Sequence, residues 1–316
     1  MANSNSKDIV IFSIARSGST WFGQIISAAD LEYIFEPMAF WHFPGFKAGM
    51  QEQFPRPHLY LKKGEKTDWA EYFDMAMAGK IRNSGTIRNE ENRNLSLPKK
   101  VKEGIIRLTG RQTAQQQLIA HYQAKRRRVI KILRANLALE WMLERYDINP
   151  VFLIRDPLST IASQFIYGIE SAVHSLTYYF HREQLFNDHL SEFRDLITHS
   201  NSQLNRRSYI KYLAILWAIQ VYVPQRQGVM KKMHIVEYNK LVEDPRAELE
   251  ELSKKTGLQL TAKVWEQVER KSFTTLKHSR SKGYDPQNAW KDILTRQDVK
   301  VITRILKRFR LNDYLT

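Results

Sequence analysis

Residues 8–37 constrain this chain more than any other stretch. Ile9 to Ile14 is an apolar, largely β-branched run, the composition of a short buried strand. It breaks into Ala15, Arg16, Ser17, Gly18, Ser19 and Thr20, then into Trp-Phe-Gly-Gln-Ile-Ile, which reads as the start of a helix. A strand that turns through small residues into a helix N-terminus is a cradle for anions. The first-turn N–H groups have no partner within the helix, and the helix dipole favours negative charge there by roughly 0.3–1 kcal/mol. Gly18 lets the backbone approach closely, Ser17, Ser19 and Thr20 add hydroxyl donors, and Arg16 adds a positive fork suited to phosphate or sulfate oxygens. A triphosphatase loop would carry a Gly-Lys pair here. None is present, so ATP hydrolysis is a poor reading. A helix cap without a ligand is the plain alternative, and Arg16 speaks against it because a cap needs no cation.

The rest of the chain repeats the pattern. Leu31 to Phe35 is a second short apolar run ending in Glu36-Pro37, and residues 38–80 carry aromatics, Gly and Pro in the manner of an irregular cover over a cleft. Gly110 to Arg128 reads as a helix whose last turn is Lys125-Arg126-Arg127-Arg128. Val129 to Leu133, Val151 to Ile154 and His234 to Tyr238 are further buried-type strands. Helical patterns follow each: Asn136 to Tyr146, a helix from Pro157 capped by Asp156, and Asn239 to Gly257 interrupted at Asp244-Pro245. A basic amphipathic helix is expected from Arg296 to about Arg310. Strands separated by helices predict a parallel sheet with helices on both faces, and ligands of such sheets bind beyond the carboxyl ends of the strands. Arg16, Glu36, Lys131 or Arg134, and Arg155 all follow apolar strands and fall along that edge.

With 316 residues, 43% of them apolar, the chain has ample material for a core. The absence of cysteine excludes disulfides, thiolate metal sites and cysteine catalysis, and fits a reducing, cytoplasmic setting. The polar N-terminus runs straight into the first strand, so no signal peptide is expected, and no apolar run is long enough to span a membrane. The net charge of +16 gathers in residues 80–134 and 270–316. That favours a polyanionic ligand, whether nucleic acid, an anionic cofactor or an acidic glycan.

Two motifs carry a family resemblance. Ala-Arg-Ser-Gly-Ser-Thr-Trp at 15–21 resembles the 5′-phosphosulfate loop of sulfotransferases that use 3′-phosphoadenosine 5′-phosphosulfate (PAPS), in the Arg form of carbohydrate-type members. Ile-Arg-Asp-Pro-Leu-Ser-Thr-Ile-Ala-Ser at 154–163 resembles their 3′-phosphate motif, with Arg155 and Ser163 eight residues apart. Val-Glu-Tyr-Asn-Lys-Leu-Val-Glu-Asp-Pro, with Tyr238, resembles the late strand and helix. Ser281-Lys282-Gly283 resembles the C-terminal Arg-Lys-Gly loop, with Ser281 in the Arg position and Arg280 as its substitute.

The resemblance implies an α/β protein, a three-layer α/β/α fold with a central parallel sheet of the P-loop-NTPase-like sulfotransferase type. It implies a single domain over 1–316, framed by 8–40, 128–170 and 234–295, with 41–127 and 171–233 as acceptor-cleft and helical blocks. The implied reaction is metal-free, in-line transfer of a sulfuryl group from PAPS to a hydroxyl, less readily an amine, of a small-molecule or glycan acceptor, preferably a carbohydrate or glycolipid. Arg16, Ser17, Gly18, Ser19, Thr20, Trp21, Arg155, Ser163, Tyr238, Lys282 and Gly283 would hold the co-substrate, Trp21 by stacking on adenine or else serving as a core aromatic. Arg16 and Lys131 would neutralise the transferring group. Cytosolic members take the acceptor proton with a His two residues past a strand-end Lys, where this chain has Leu133. Glu36 matches the carboxylate of carbohydrate-type and bacterial members instead, with His42 and His58 as further candidates. No nucleic acid partner and no membrane span are expected, while peripheral membrane contact and oligomeric state stay open. The competing readings are a nucleic-acid- or polyanion-binding protein built on the 80–134 stretch, another nucleoside-phosphate transferase, and a nucleotide-binding relative without chemistry.

Overall fold

In the computed structural model, residues 7–39, 58–81, 86, 127–168, 183–198, 205–272 and 285–315 are described. Five strands, β1 (Ile9–Ser13), β2 (Glu32–Phe35), β3 (Arg128–Leu133), β4 (Asn149–Ile154) and β5 (His234–Glu237), pair in the order β2-β3-β1-β4-β5, every pair parallel. The short run at 31–35 thus becomes the edge strand β2. A parallel sheet needs helical crossovers and so is covered on both faces.

The two-residue period of the strands decides which side chain meets which layer. Val10, Phe12, Ile34, Ile130, Ile132, Phe152 and Ile154 enter one core with α2 (Ala70–Met77), α3 (Leu139–Arg145), α4 (Pro157–Tyr167), α5 (Arg206–Arg226) and α9 (Arg296–Arg308). Ile9, Ile11, Tyr33, Phe35, Val129, Val151 and Leu153 enter the other with α1 (Ser19–Ser27), α6 (Tyr238–Glu243), α7 (Pro245–Thr256) and α8 (Ala262–Val268). The result is the expected three-layer α/β/α architecture with the P-loop-like strand arrangement. None of the described helices is long and apolar enough to cross a membrane.

The amino ends of the strands are tied together by polar groups. Arg127 Nε donates to the Lys7 carbonyl at 2.7 Å and Nη2 to the Thr256 carbonyl at 2.5 Å, at the end of α7. Arg128 donates from its N–H and Nε to the Asp8 carboxylate at 2.7 and 2.8 Å. This explains a difference from the sequence reading. The cations at 127–128 do not end a helix, because Asp8 and the α7 carbonyls recruit them and Arg128 opens β3. The rest of the expected 110–128 helix lies outside the described residues, as does most of the basic stretch at 80–134.

Helix α9 begins at Thr295, whose side chain accepts from the Asp298 N–H in a capping box. Arg206, at the start of α5, donates to Asp298 Oδ2 from Nε and Nη2 at 3.0 and 2.7 Å. Burial alone would raise the Asp298 carboxyl, but the Arg206 guanidinium and the Thr295 N–H outweigh it and hold the group below the usual carboxylate range. A carboxyl depressed on folding stabilises the fold above its unfolded pKa, and that contribution fades as pH falls through the folded value. Asp298→Asn is therefore expected to cost about 1–2 kcal/mol at neutral pH and to flatten the acid side of the stability curve. Denaturant midpoints across pH measure both, and an unchanged acid side would remove this pair from the account.

Candidate active site

The site lies at the carboxyl ends of the strands and is built from three turns. After β1 the chain turns through Arg16 at φ 71° and Gly18 at φ 87° into α1. Ser17 closes the turn, its N–H and hydroxyl both donating to the Ile14 carbonyl at 3.2 and 2.7 Å. Gln164, on α4, donates to the Ala15 carbonyl at 2.8 Å and holds the turn from above. Gly18 occupies the N-cap position and so supplies no capping side chain. A Cβ at residue 18 would stand 2.2 Å from the Tyr238 ring, so only glycine fits beneath that tyrosine.

The second turn follows β4. Asp156 accepts from the Ser159 N–H at 2.9 Å and Pro157 opens α4, as the sequence predicts. Arg155, immediately before, is 8% exposed. Its Nη1 donates to the Arg16 carbonyl at 3.3 Å, its Nη2 donates to the Pro286 carbonyl, and its guanidinium lies 4.6 Å from the Tyr238 ring centre. Its Nε is buried without a hydrogen-bond partner. Arg16 reaches in the other direction, donating from Nε to Ser163 Oγ at 3.2 Å, with its guanidinium 4.7 Å from the Tyr167 ring centre. Arg16, Gly18, Arg155, Ser163 and Tyr238 are thereby one cluster. Trp21, half-buried at its side, donates from Nε1 to the Val268 carbonyl at 3.3 Å and meets Tyr238 edge-on at 6.0 Å.

The third turn follows β2 and differs from the sequence reading in one respect. Lys131 does not stand at the end of its strand. It lies within β3, and the alternation that sends Val129 toward α1 sends Lys131 the same way. Its side chain is 2% exposed, and Nζ reaches Glu36 Oε1 at 2.5 Å and Thr20 Oγ1 at 2.8 Å, with the Phe35 ring centre at 4.2 Å. Burial pushes this ammonium below its usual pKa, and Glu36 pulls it back up. Glu36 is itself buried, at φ 42°, and its N–H donates to the Lys131 carbonyl at 2.8 Å.

Arg134, the residue after β3, is also left-handed at φ 68°, and the His58 N–H donates to its carbonyl at 2.9 Å. Burial first, and then the charge of Arg134, hold His58 well below the ordinary imidazole range, so it is neutral near pH 7. Non-glycine residues in this conformation cost on the order of 1–3 kcal/mol each and persist where their surroundings over-determine them. Arg16, Glu36 and Arg134 follow β1, β2 and β3 respectively, and all three bear ionisable side chains.

Lys282, Gly283, Arg280, Ser281 and His42 lie outside the described residues. Among the described residues no group of His, Asp or Glu is arranged to hold a metal ion. Four partners of the site were not read from the sequence: Gln164, Tyr167, Phe35 under Lys131, and the 286–287 backbone, where Ser159 Oγ donates to the Gln287 carbonyl at 3.1 Å. Tyr167 sits four residues past Ser163 on α4, so helical spacing was the signal available for it.

A chain-wide family model described as "Sulfotransferase domain" matches residues 6–300. Among solved structures, the sulfotransferase domain from the curacin biosynthetic pathway is 17% identical at TM-score 0.44, covering 96% of this chain and 97% of that one. The mouse sulfotransferase SULT7A1 complexed with PAP is 11% identical at TM-score 0.44, over 97% of this chain and 85% of that one. A sulfotransferase from Alicyclobacillus acidocaldarius is 11% identical at TM-score 0.41, over 100% of this chain and 96% of that one. Those scores are too low to carry residue roles across, and no individually curated protein matches the sequence. The family model rests on nearly the whole length, including every strand of the sheet and all three turns at its carboxyl edge. The chain belongs to the sulfotransferase domain family.

Proposed function

We propose that this sulfotransferase takes its sulfuryl group from PAPS and delivers it to a hydroxyl of a carbohydrate-type acceptor. One observation supports the donor above all: Arg16 and Arg155, each the sign of an anion site, share a hydrogen bond at 3.3 Å although 139 residues separate them. A donor with a 3′-phosphate and a 5′-phosphosulfate needs two such sites side by side. The residues suit it in detail. The buried Nε of Arg155 lacks an acceptor, and the space over Gly18 excludes a Cβ.

On this reading Arg155 and Ser163 hold the 3′-phosphate, while the α1 N-terminus with Ser17, Gly18, Ser19 and Thr20 holds the 5′-phosphosulfate. Tyr238 and Trp21 flank the nucleoside, and Lys282 and Gly283 close over it. The donor supplies an activated S–O bond. The chain's own residues position it, neutralise charge and accept a proton. Arg16 and the helix N-terminus stabilise the sulfuryl oxygens as the S–O bond to phosphate breaks and the S–O bond to the acceptor forms. Glu36 accepts the acceptor's hydroxyl proton, and the Lys131 ammonium in contact with it favours the carboxylate form that this task needs. The aromatics and cations of the variable blocks favour a glycan over an uncharged phenol. The lack of cysteine suits a reducing, cytoplasmic location.

The donor assignment is tested by melting the protein with adenosine 3′,5′-bisphosphate, ATP or DNA. Stabilisation is expected from the bisphosphate only, and its absence at millimolar concentration would sink the reading. Arg155→Ala is expected to weaken bisphosphate binding about 10- to 100-fold, the equivalent of one charge-assisted hydrogen bond, with a far smaller effect on 5′-AMP. Equal losses for both nucleotides would contradict the 3′-phosphate role.

A further inference from the structure

We infer that Lys131 is a positioning residue that acts through Glu36, holding the proton acceptor and joining it to the anion cradle, and that it does not touch the sulfuryl donor. The inference rests on the proposed function and departs from the role that the family resemblance suggests for this lysine.

Three features carry it. The first is commitment. A lysine ammonium has three donors; Lys131 directs two of them to Glu36 Oε1 and Thr20 Oγ1, and its charge sits 4.2 Å from the Phe35 ring centre. With the side chain 2% exposed beneath α1, swinging toward an incoming sulfate would weaken the bonds already made. The second is that Lys131 holds Glu36 at two points, its carbonyl accepting from the Glu36 N–H at 2.8 Å and its ammonium meeting the carboxylate at 2.5 Å. This grip over-determines a residue held at φ 42°. The third is the connection to the cradle. Thr20 Oγ1 accepts from Lys131, so its own proton is left to donate, and Thr20 lies in the first turn of α1. The anion in the cradle, Thr20, Lys131 and Glu36 would then form one hydrogen-bonded series in a dry setting, where each bond polarises the next.

Lys131 reaches Glu36 from β3, Arg16 acts on the pair from the turn after β1, and the Tyr33 hydroxyl feels Glu36 from the same strand. Lys131 is in direct contact with the carboxylate, at 2.5 Å. Removing an opposite charge at that range raises a carboxyl's pKa by about 1–3 units. The acid limb of turnover must therefore move to higher pH when Lys131 loses its charge.

The test uses the full chain with Lys131→Met and the double variant Lys131→Met/Glu36→Gln. Turnover is read as release of adenosine 3′,5′-bisphosphate from PAPS with water as acceptor, and binding as the bisphosphate Kd. For Lys131→Met the expected result is an acid limb displaced upward by about 1–3 pH units, with the bisphosphate Kd and the donor KM within about threefold of the parent. The double variant removes the buried unpaired carboxylate and is expected to melt higher than Lys131→Met while binding the bisphosphate like the parent, which covers the case of a single variant that folds poorly. A Kd raised tenfold or more in either variant, or an acid limb that does not move, would overturn the inference. A parent chain that fails to bind the bisphosphate overturns the proposed function instead, and the inference falls with it.

Discussion

Glu36→Gln should cut sulfuryl transfer by a factor of about 10²–10⁴, the usual contribution of a positioned general base, and leave bisphosphate binding intact. The amide keeps the size of the side chain and the left-handed backbone at φ 42°, so geometry alone does not account for a loss. What disappears is the lone-pair basicity and the negative charge against Lys131. That second loss has its own signature. Lys131 is 2% exposed, and a buried charge stripped of its partner costs about 3–5 kcal/mol unless it sheds its proton, which its lowered pKa makes easier. The variant is therefore expected to melt lower, more so at acid pH where the ammonium is retained, and to recover with bound bisphosphate. Turnover assays on donor consumption, run beside melting curves with the nucleotide, separate the two effects. Unchanged turnover would take the proton-acceptor role from Glu36.

Gly18→Ala is expected to abolish nucleotide binding. At φ 87° an L-residue bears a backbone penalty of about 1–2 kcal/mol, and the new Cβ would stand 2.2 Å from the Tyr238 ring. Tyr238 cannot simply withdraw, because the Arg155 guanidinium packs on its ring at 4.6 Å and Trp21 meets it edge-on. A methyl group at residue 18 thus displaces the first turn of α1 and the wall of the second anion site together. Gly168→Ala is the control. Gly168 is also left-handed, at φ 62°, but nothing lies within 4 Å of its would-be Cβ, so only the backbone cost of about 1 kcal/mol is expected and binding should survive. Isothermal titration with adenosine 3′,5′-bisphosphate compares the two. Equal affinities in both variants would show that the Tyr238 contact does not shape the cradle.

The strands and the helix starts were legible because each has a local cause. Apolar β-branched runs made β1, β3, β4 and β5 stand out, and Asp156-Pro157 marked the start of α4. The two anion motifs were legible for the same reason, since each is a contiguous strand end and helix start. Relations across the sheet were not. Whether Lys131 stands beyond its strand or inside it depends on where pairing stops, and the register that sets Lys131 opposite Ile11 and Phe35 is not written in its neighbours. The reach of Lys131 to Thr20 spans 111 residues and that of Arg155 to Pro286 spans 131. Such distances close only when the sheet does. The left-handed conformations of Arg16, Glu36 and Arg134 carried no compositional sign either, since Gly, Asn and Asp are the residues that usually announce them.

The polar ties at the amino ends of the strands have a consequence for how such a protein can change. Lys7, Asp8, Arg127, Arg128 and the carbonyl of Thr256 bind the underside of the sheet to itself, on the side away from every described residue assigned to the donor. These ties hold one rim, and on the proposed function the chemistry belongs to the other. On the proposed function, a lineage can therefore trade one acceptor for another outside the two rims, while the upper turns keep the donor and the lower rim keeps the strands in register. Loop grafting in the laboratory would have the same freedom, with the lower rim left untouched.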